Sequence, residues 1–144
     1  MAVLLDAAHH EVLSEPQTVR RVLVALDGTP ESTTALERAV AIAIEHSALL
    51  TLAVVVPEPR LYSGIGPLML PFSPATLKRD AEREMCRVLA AARDEVPANV
   101  SVTTQLLHGA CARAIAKLAN CGGYDVVVTP RPSTRLRRLL HADA

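Results

Sequence analysis

The residues Tyr124-Asp125-Val126-Val127-Val128 read as a strand, Thr129-Pro130-Arg131-Pro132-Ser133-Thr134 as a turn, and the basic stretch from Arg135 as a helix. A strand, a turn and a helix start in that order form a cradle for a phosphate. The helix N-terminus offers free N–H groups, and glycines let the backbone come close. This turn contains no glycine. Pro130 and Pro132 stand where close approach is needed, and proline has no N–H and a fixed φ. Ser133 and Thr134 still offer hydroxyls and N–H groups at the helix start. Arg131, Arg135, Arg137 and Arg138 can grip phosphate oxygens in pairs, although a charge run of this kind is more often a solvated helix face. The pattern is that of a nucleotide binder disarmed at its phosphate site.

Other candidates for chemistry are weaker. Asp27-Gly28-Thr29-Pro30 follows an apolar run, and Asp suits a turn or cap there whatever else it does. His9-His10 lack a further ligand in register. His46, His108 and His141 are scattered, His108 being notable because Gly109 follows it at a strand end. Ser63-Gly64 follows no strand-to-helix turn, and the sequence holds no nucleophile elbow, HExxH or P-loop. The residues therefore predict a protein that is not an enzyme and binds no metal.

Composition narrows the partners. Half the residues are apolar, but Tyr62, Phe72 and Tyr124 are all the aromatics, so the core is aliphatic. A chain without aromatic platforms cannot stack the bases of single-stranded nucleic acid. Fifteen basic and fifteen acidic residues cancel, so no overall field steers the chain to DNA or a membrane. The longest apolar run, residues 48–56, is interrupted by Thr51 and is too short to span a bilayer. Cys86, Cys111 and Cys121 are odd in number without CxxC spacing, which predicts reduced thiols and a cytoplasmic setting. The N-terminus has no basic region before Val3-Leu4-Leu5 and does not read as a secretory signal.

These motifs need elements to hold them. Residues 1–19 read as an arm, in which Ala2 to Leu5 forms a strand only if something pairs with it. Residues 20–144 read as one domain. Val22-Leu23-Val24-Ala25-Leu26 is apolar on both faces, the mark of a central parallel strand. A helix follows, with Thr29 or Ser32 as cap and Leu36, Val40, Ala43 and Ile44 inward. Residues 49–56 form a second buried strand. A loop over 58–73 carries Ile65, Leu68, Met69, Leu70 and Phe72. Pro74 opens a long helix with the stripe Leu77, Ala81, Met85, Val88, Ala92 and Val96. Val100, Val102, Thr104 and Leu106 alternate with polar residues and belong at a sheet edge. Gly109 opens a helix with Cys111, Ile115, Leu118 and Ala119 inward. Alternating strands and helices predict an open parallel α/β sheet with helices on both faces and a site at the carboxyl ends of the strands.

The stretch Arg21 to Ser32 (RVLVALDGTPES), then Leu50-Thr51-Leu52-Ala53-Val54-Val55-Val56, Gly109 and Tyr124 to Val128 resemble the universal stress protein family over about residues 20–144. The resemblance implies a Rossmann-like, adenine-nucleotide-binding-like fold with strand order 3-2-1-4-5 and a role in stress response. In nucleotide-binding members the fourth strand leads into Gly, two residues, Gly, nine residues, then Gly and a hydroxyl residue. Anchored on Leu136 to Leu140, that motif falls on Thr129, Pro132, Ala142 and Asp143, so every position is changed. Asp27 matches the position that touches ribose and adenine, Val55 and Val128 match positions flanking the base, and Arg131 lies between the two lost glycines.

Asp27, Val55, Val128, Thr129, Arg131 and Ser133 are thus the candidate site. The expectation is a degenerate nucleotide site with no cofactor, acting through a protein partner. The alternative is a sensor that binds ATP or AMP weakly. The family continues into a fifth strand where this sequence stops, which would leave Val126 to Val128 as a bare edge. Bare edges invite pairing, with the same strand of a second copy in a homodimer or with the arm.

Overall fold

A computed structural model describes residues 3–6, 18–57, 74–131 and 134–142. Five strands and four helices follow in the order β1 (Val3–Asp6), β2 (Arg21–Leu26), α1 (Pro30–His46), β3 (Leu49–Val56), α2 (Pro74–Glu95), β4 (Val102–His108), α3 (Cys111–Gly122), β5 (Val126–Thr129) and α4 (Thr134–Ala142). The strands form one parallel sheet in the order β1-β5-β2-β3-β4. The expected parallel sheet with helices on both faces is thus the observed one. The strand that the sequence seemed to lack is supplied from the other end of the chain. Val3 to Asp6 pair in register with Val126 to Thr129, and Val3 N–H donates to the Asp125 carbonyl at 2.9 Å. The edge of β5 is therefore covered within one chain, and no second copy is needed to pair it.

Strand parity sorts the side chains into two cores. Val22, Val24 and Leu26 of β2, Leu50, Leu52 and Val54 of β3, Val126 and Val128 of β5 and Leu5 of β1 pack under α1 and α2. Leu23, Ala25, Ala53 and Val127 face the other way, against Ile115, Ala116 and Ala119 of α3 and Leu136 and Leu140 of α4. A run apolar at both parities is what a strand covered on both faces requires. β4 is the opposite edge, and Thr103, Thr104 and Gln105 along it are exposed, as its polar alternation predicts. The loop over 58–73 lies outside the described residues.

Candidate functional site at the carboxyl ends of the strands

Three predicted site residues come together. Asp27 follows the last residue of β2, Thr129 ends β5, and Arg131 lies in the turn before α4. All three line one cleft of about 230 Å³, with Cys111, Ala112 and Ile115 of α3, Pro130, and Leu136 of α4. The cleft is small beside typical ligand pockets of about 300–1,000 Å³, and apolar side chains make most of its wall. Parity explains the placement. Ala25 and Asp27, like Val127 and Thr129, point to the α3/α4 side, whereas Val128 is fully buried under α1 and α2 on the far face. Val128 therefore does not flank this cleft. Val55 shares the α3/α4 face and packs with Leu107 against the smaller core, but it does not line the cleft. Ser133, Pro132 and Asp143 lie outside the described residues.

Two polar groups of the cleft, Asp27 and Thr129, are engaged by their own chain. Asp27 Oδ1 accepts hydrogen bonds from Ser32 Oγ at 2.5 Å, Thr29 N–H at 3.0 Å and the Thr29 hydroxyl. Asp27 N–H donates to Ser32 Oγ at 2.9 Å. Gly28, at φ +79°, makes the turn possible; a Cβ there would also stand 3.2 Å from Val88 of α2. Thr29 occupies the cap position of α1 without bonding a helix N–H through its side chain, because its hydroxyl goes to Asp27. Burial alone would push the Asp27 carboxyl up. The bonds from Ser32 and Thr29 and the charge of Arg131 outweigh it, so the carboxyl is held below its ordinary value.

The second polar group is Thr129, which takes the place of the first glycine and is buried. Its hydroxyl lies 2.9 Å from the Arg131 carbonyl and 3.4 Å from the Leu5 carbonyl. It ties the turn to itself and to β1. Asp6, opposite Thr129 in register, has its carbonyl bonded by Arg38 Nη1 of α1 at 2.7 Å. β1 is thus joined to the rim of the cleft, a connection no local sequence pattern carries. Cys111, expected to face inward, is exposed instead, because the first residue of α3 lies at the cleft mouth. It lies at the solvent-exposed start of α3, yet partial burial of its sulfur and the Asp27 carboxylate push its thiol up. His108 sits elsewhere, 3.0 Å from Glu82 of α2 at the surface.

A model of the universal stress protein family matches residues 18–142. Among solved structures, the fold is similar to that of a universal stress protein family member from Burkholderia pseudomallei, with a TM-score of 0.70 at 23% identity over 90% of this chain and 93% of that one. It is similar to a universal stress protein in complex with cAMP, with a TM-score of 0.58 at 22% identity over 77% and 75% of the two chains. It also resembles the universal stress protein UspA from Lactobacillus plantarum, with a TM-score of 0.59 at 19% identity over 82% and 81%. No curated protein matches the chain.

Proposed function

The chain belongs to the universal stress protein family, and we propose that it is a non-enzymatic member with a degenerate nucleotide site, acting in stress response through protein contacts. The observation that carries this reading is the self-engagement of the cleft. Asp27 Oδ1 and the Thr129 hydroxyl, two of the polar groups at the cleft, are bonded within the chain. Pro130 lines the turn where a phosphate needs an N–H.

The same groups support a non-catalytic role. A carboxyl held low is a weak general base, and a thiol pushed up is a weak nucleophile at neutral pH. The exposed free cysteines Cys86, Cys111 and Cys121 support a reducing, cytoplasmic setting. With β5 covered, a homodimer would use the outer edge of β1, which is now the sheet edge on that side.

Two observations favour a second reading, a weak sensor of adenine nucleotides. Asp27 and Arg131 still share one cleft, and a solved relative is a complex with cAMP. Native mass spectrometry of freshly purified protein tests both readings together with the oligomeric state. The first predicts protein without nucleotide. A stoichiometric adenine nucleotide that survives purification would replace it with the second.

A further inference from the structure

The neutral charge of the chain conceals two unlike stretches. Residues 96–144 hold six basic residues against two acidic ones, a net charge of +4, and residues 1–95 hold nine against thirteen, a net charge of −4. The six are Arg113, Lys117, Arg131, Arg135, Arg137 and Arg138, and all are exposed. Five stand on α3 and α4, and Arg131 on the turn between β5 and α4. Those two helices pack over one core on one face of the sheet, and neither contains an acidic residue.

Asp125 does not offset them. It sits at the amino end of β5, where its carboxylate accepts the N–H groups of Arg20 and Arg21. Arg131 acts on Asp27. Among the described residues, the other five have no hydrogen-bond or ion-pair partner for their charge. α2 behaves differently, mixing five basic with five acidic residues and pairing Arg87 with Glu84 at 3.7 Å.

Spacing sharpens the contrast. Arg113 and Lys117 are four residues apart, and Arg135 and Arg138 are three apart, so each pair shares a helix face and repels. An anionic partner would relieve both pairs at once.

We propose that the exposed surface of α3 and α4, with Arg131 at its edge, is the protein-contact surface and that it takes an acidic segment of a partner protein. The inference rests on the reading that the domain works through protein contacts. Arginine supplies five of the six charges, and its planar fork suits paired bonds to carboxylates. Two other polyanions fit less well. A membrane-surface helix needs an apolar face to sink, but Leu136 and Leu140 of α4 are 3% and 5% exposed and lie in the core. A nucleic-acid reader needs a helix able to enter a groove, or aromatic platforms. Both helices bury their apolar sides in the smaller core, and the one described aromatic, Tyr124, is buried.

The test uses the full chain and a fluorescent peptide of alternating Asp and Glu, followed by anisotropy at 50 and 300 mM salt. A 20-base-pair DNA duplex and vesicles rich in phosphatidylserine are run in parallel. The peptide should bind at low salt and lose at least tenfold in affinity at high salt, because exposed charges are screened beyond about 8 Å already at physiological ionic strength and more closely above it. The double variant Arg135→Glu/Arg138→Glu should cost at least another tenfold. Arg83→Glu/Arg87→Glu on α2 should change affinity less than twofold, with thermal melting confirming that both variants fold.

No peptide binding at low salt, or equal binding by the α4 variant, would overturn the inference. Tighter binding of the duplex or the vesicles than of the peptide would overturn it in favour of that polyanion. ATP titrated into the same samples separates the two readings. Tight ATP binding beside normal peptide binding defeats only the degenerate-site reading, and absence of both defeats only this one.

Discussion

The two ends of the sheet handle their polar groups in different ways. At the amino end, hydrogen bonds join segments remote in sequence. Asp125 Oδ2 accepts the N–H groups of Arg20 and Arg21 at 2.9 and 3.1 Å, and Arg21 Nη1 donates to the Gly122 carbonyl. The Arg21 guanidinium lies 4.9 Å from the centroid of the Tyr124 ring. The Tyr124 hydroxyl donates to Thr51 Oγ1 at 3.0 Å, and the Thr51 and Thr103 hydroxyls stand 2.9 Å apart. At the carboxyl end the bonds are mostly local, from Asp27 to Thr29 and Ser32 and from Thr129 to Arg131. Bonds between distant segments hold the fold, because losing one loosens two elements. Local bonds can be rearranged without unfolding anything. In a parallel sheet this division leaves the carboxyl end free to vary in function, and in the proposed reading that variation closes the site to phosphate.

Changes at the amino end should therefore cost stability, and changes at the carboxyl end should cost little. The largest effect is expected for Gly122→Ala. A Cβ there would stand 2.4 Å from the Tyr124 ring, and displacing that ring should destabilise the protein by about 3 kcal/mol, read by urea denaturation. Asp125→Ala leaves two backbone N–H groups without their charged acceptor and should cost about 2 kcal/mol by the same measurement. Tyr124→Phe should cost about 1 kcal/mol, because Thr51 keeps Thr103 as a partner.

Asp27→Asn is the smallest. An amide oxygen can still accept from Thr29 and Ser32, so stability at pH 7 should change by less than about 0.5 kcal/mol. The difference should appear in acid. A carboxyl lowered in the folded state adds stability that is present above the ordinary aspartate value of 3.8 and fades as pH falls through the folded value. Wild-type protein should thus lose a component of stability below about pH 4 that Asp27→Asn lacks. A carboxyl-end change as costly as Gly122→Ala would break the comparison.

The sequence made the central sheet legible because β2, β3 and β5 are apolar at both parities, and it placed β4 at an edge because Thr103 and Gln105 break that rule. Val3 to Asp6 were readable only as a strand in need of a partner. Their pairing with Val126 to Thr129 spans 123 residues, and no local period reports a contact of that separation. Within the site, Asp27 was visible for two reasons at once, because turn chemistry and ligand chemistry select the same residue. The bonds to Thr29 and Ser32 show the turn role. Val128 lies one step of the pleat from the cleft face, because alternate residues of a strand point to opposite faces. Cys111 carried no signal beyond its position at a helix start. The engagement of Thr129 with Leu5 depends on β1 and was invisible for the same reason as β1 itself.

In the proposed reading the carboxyl-end turn closes its own cleft to phosphate. Calorimetric titration of the purified chain with ATP and magnesium tests it most directly, alongside the variant Thr129→Gly/Pro132→Gly/Asp143→Ser. The natural sequence should bind no tighter than about micromolar, near 8 kcal/mol, and the variant should bind more tightly. Nanomolar, magnesium-dependent binding of ATP by the natural sequence would contradict it.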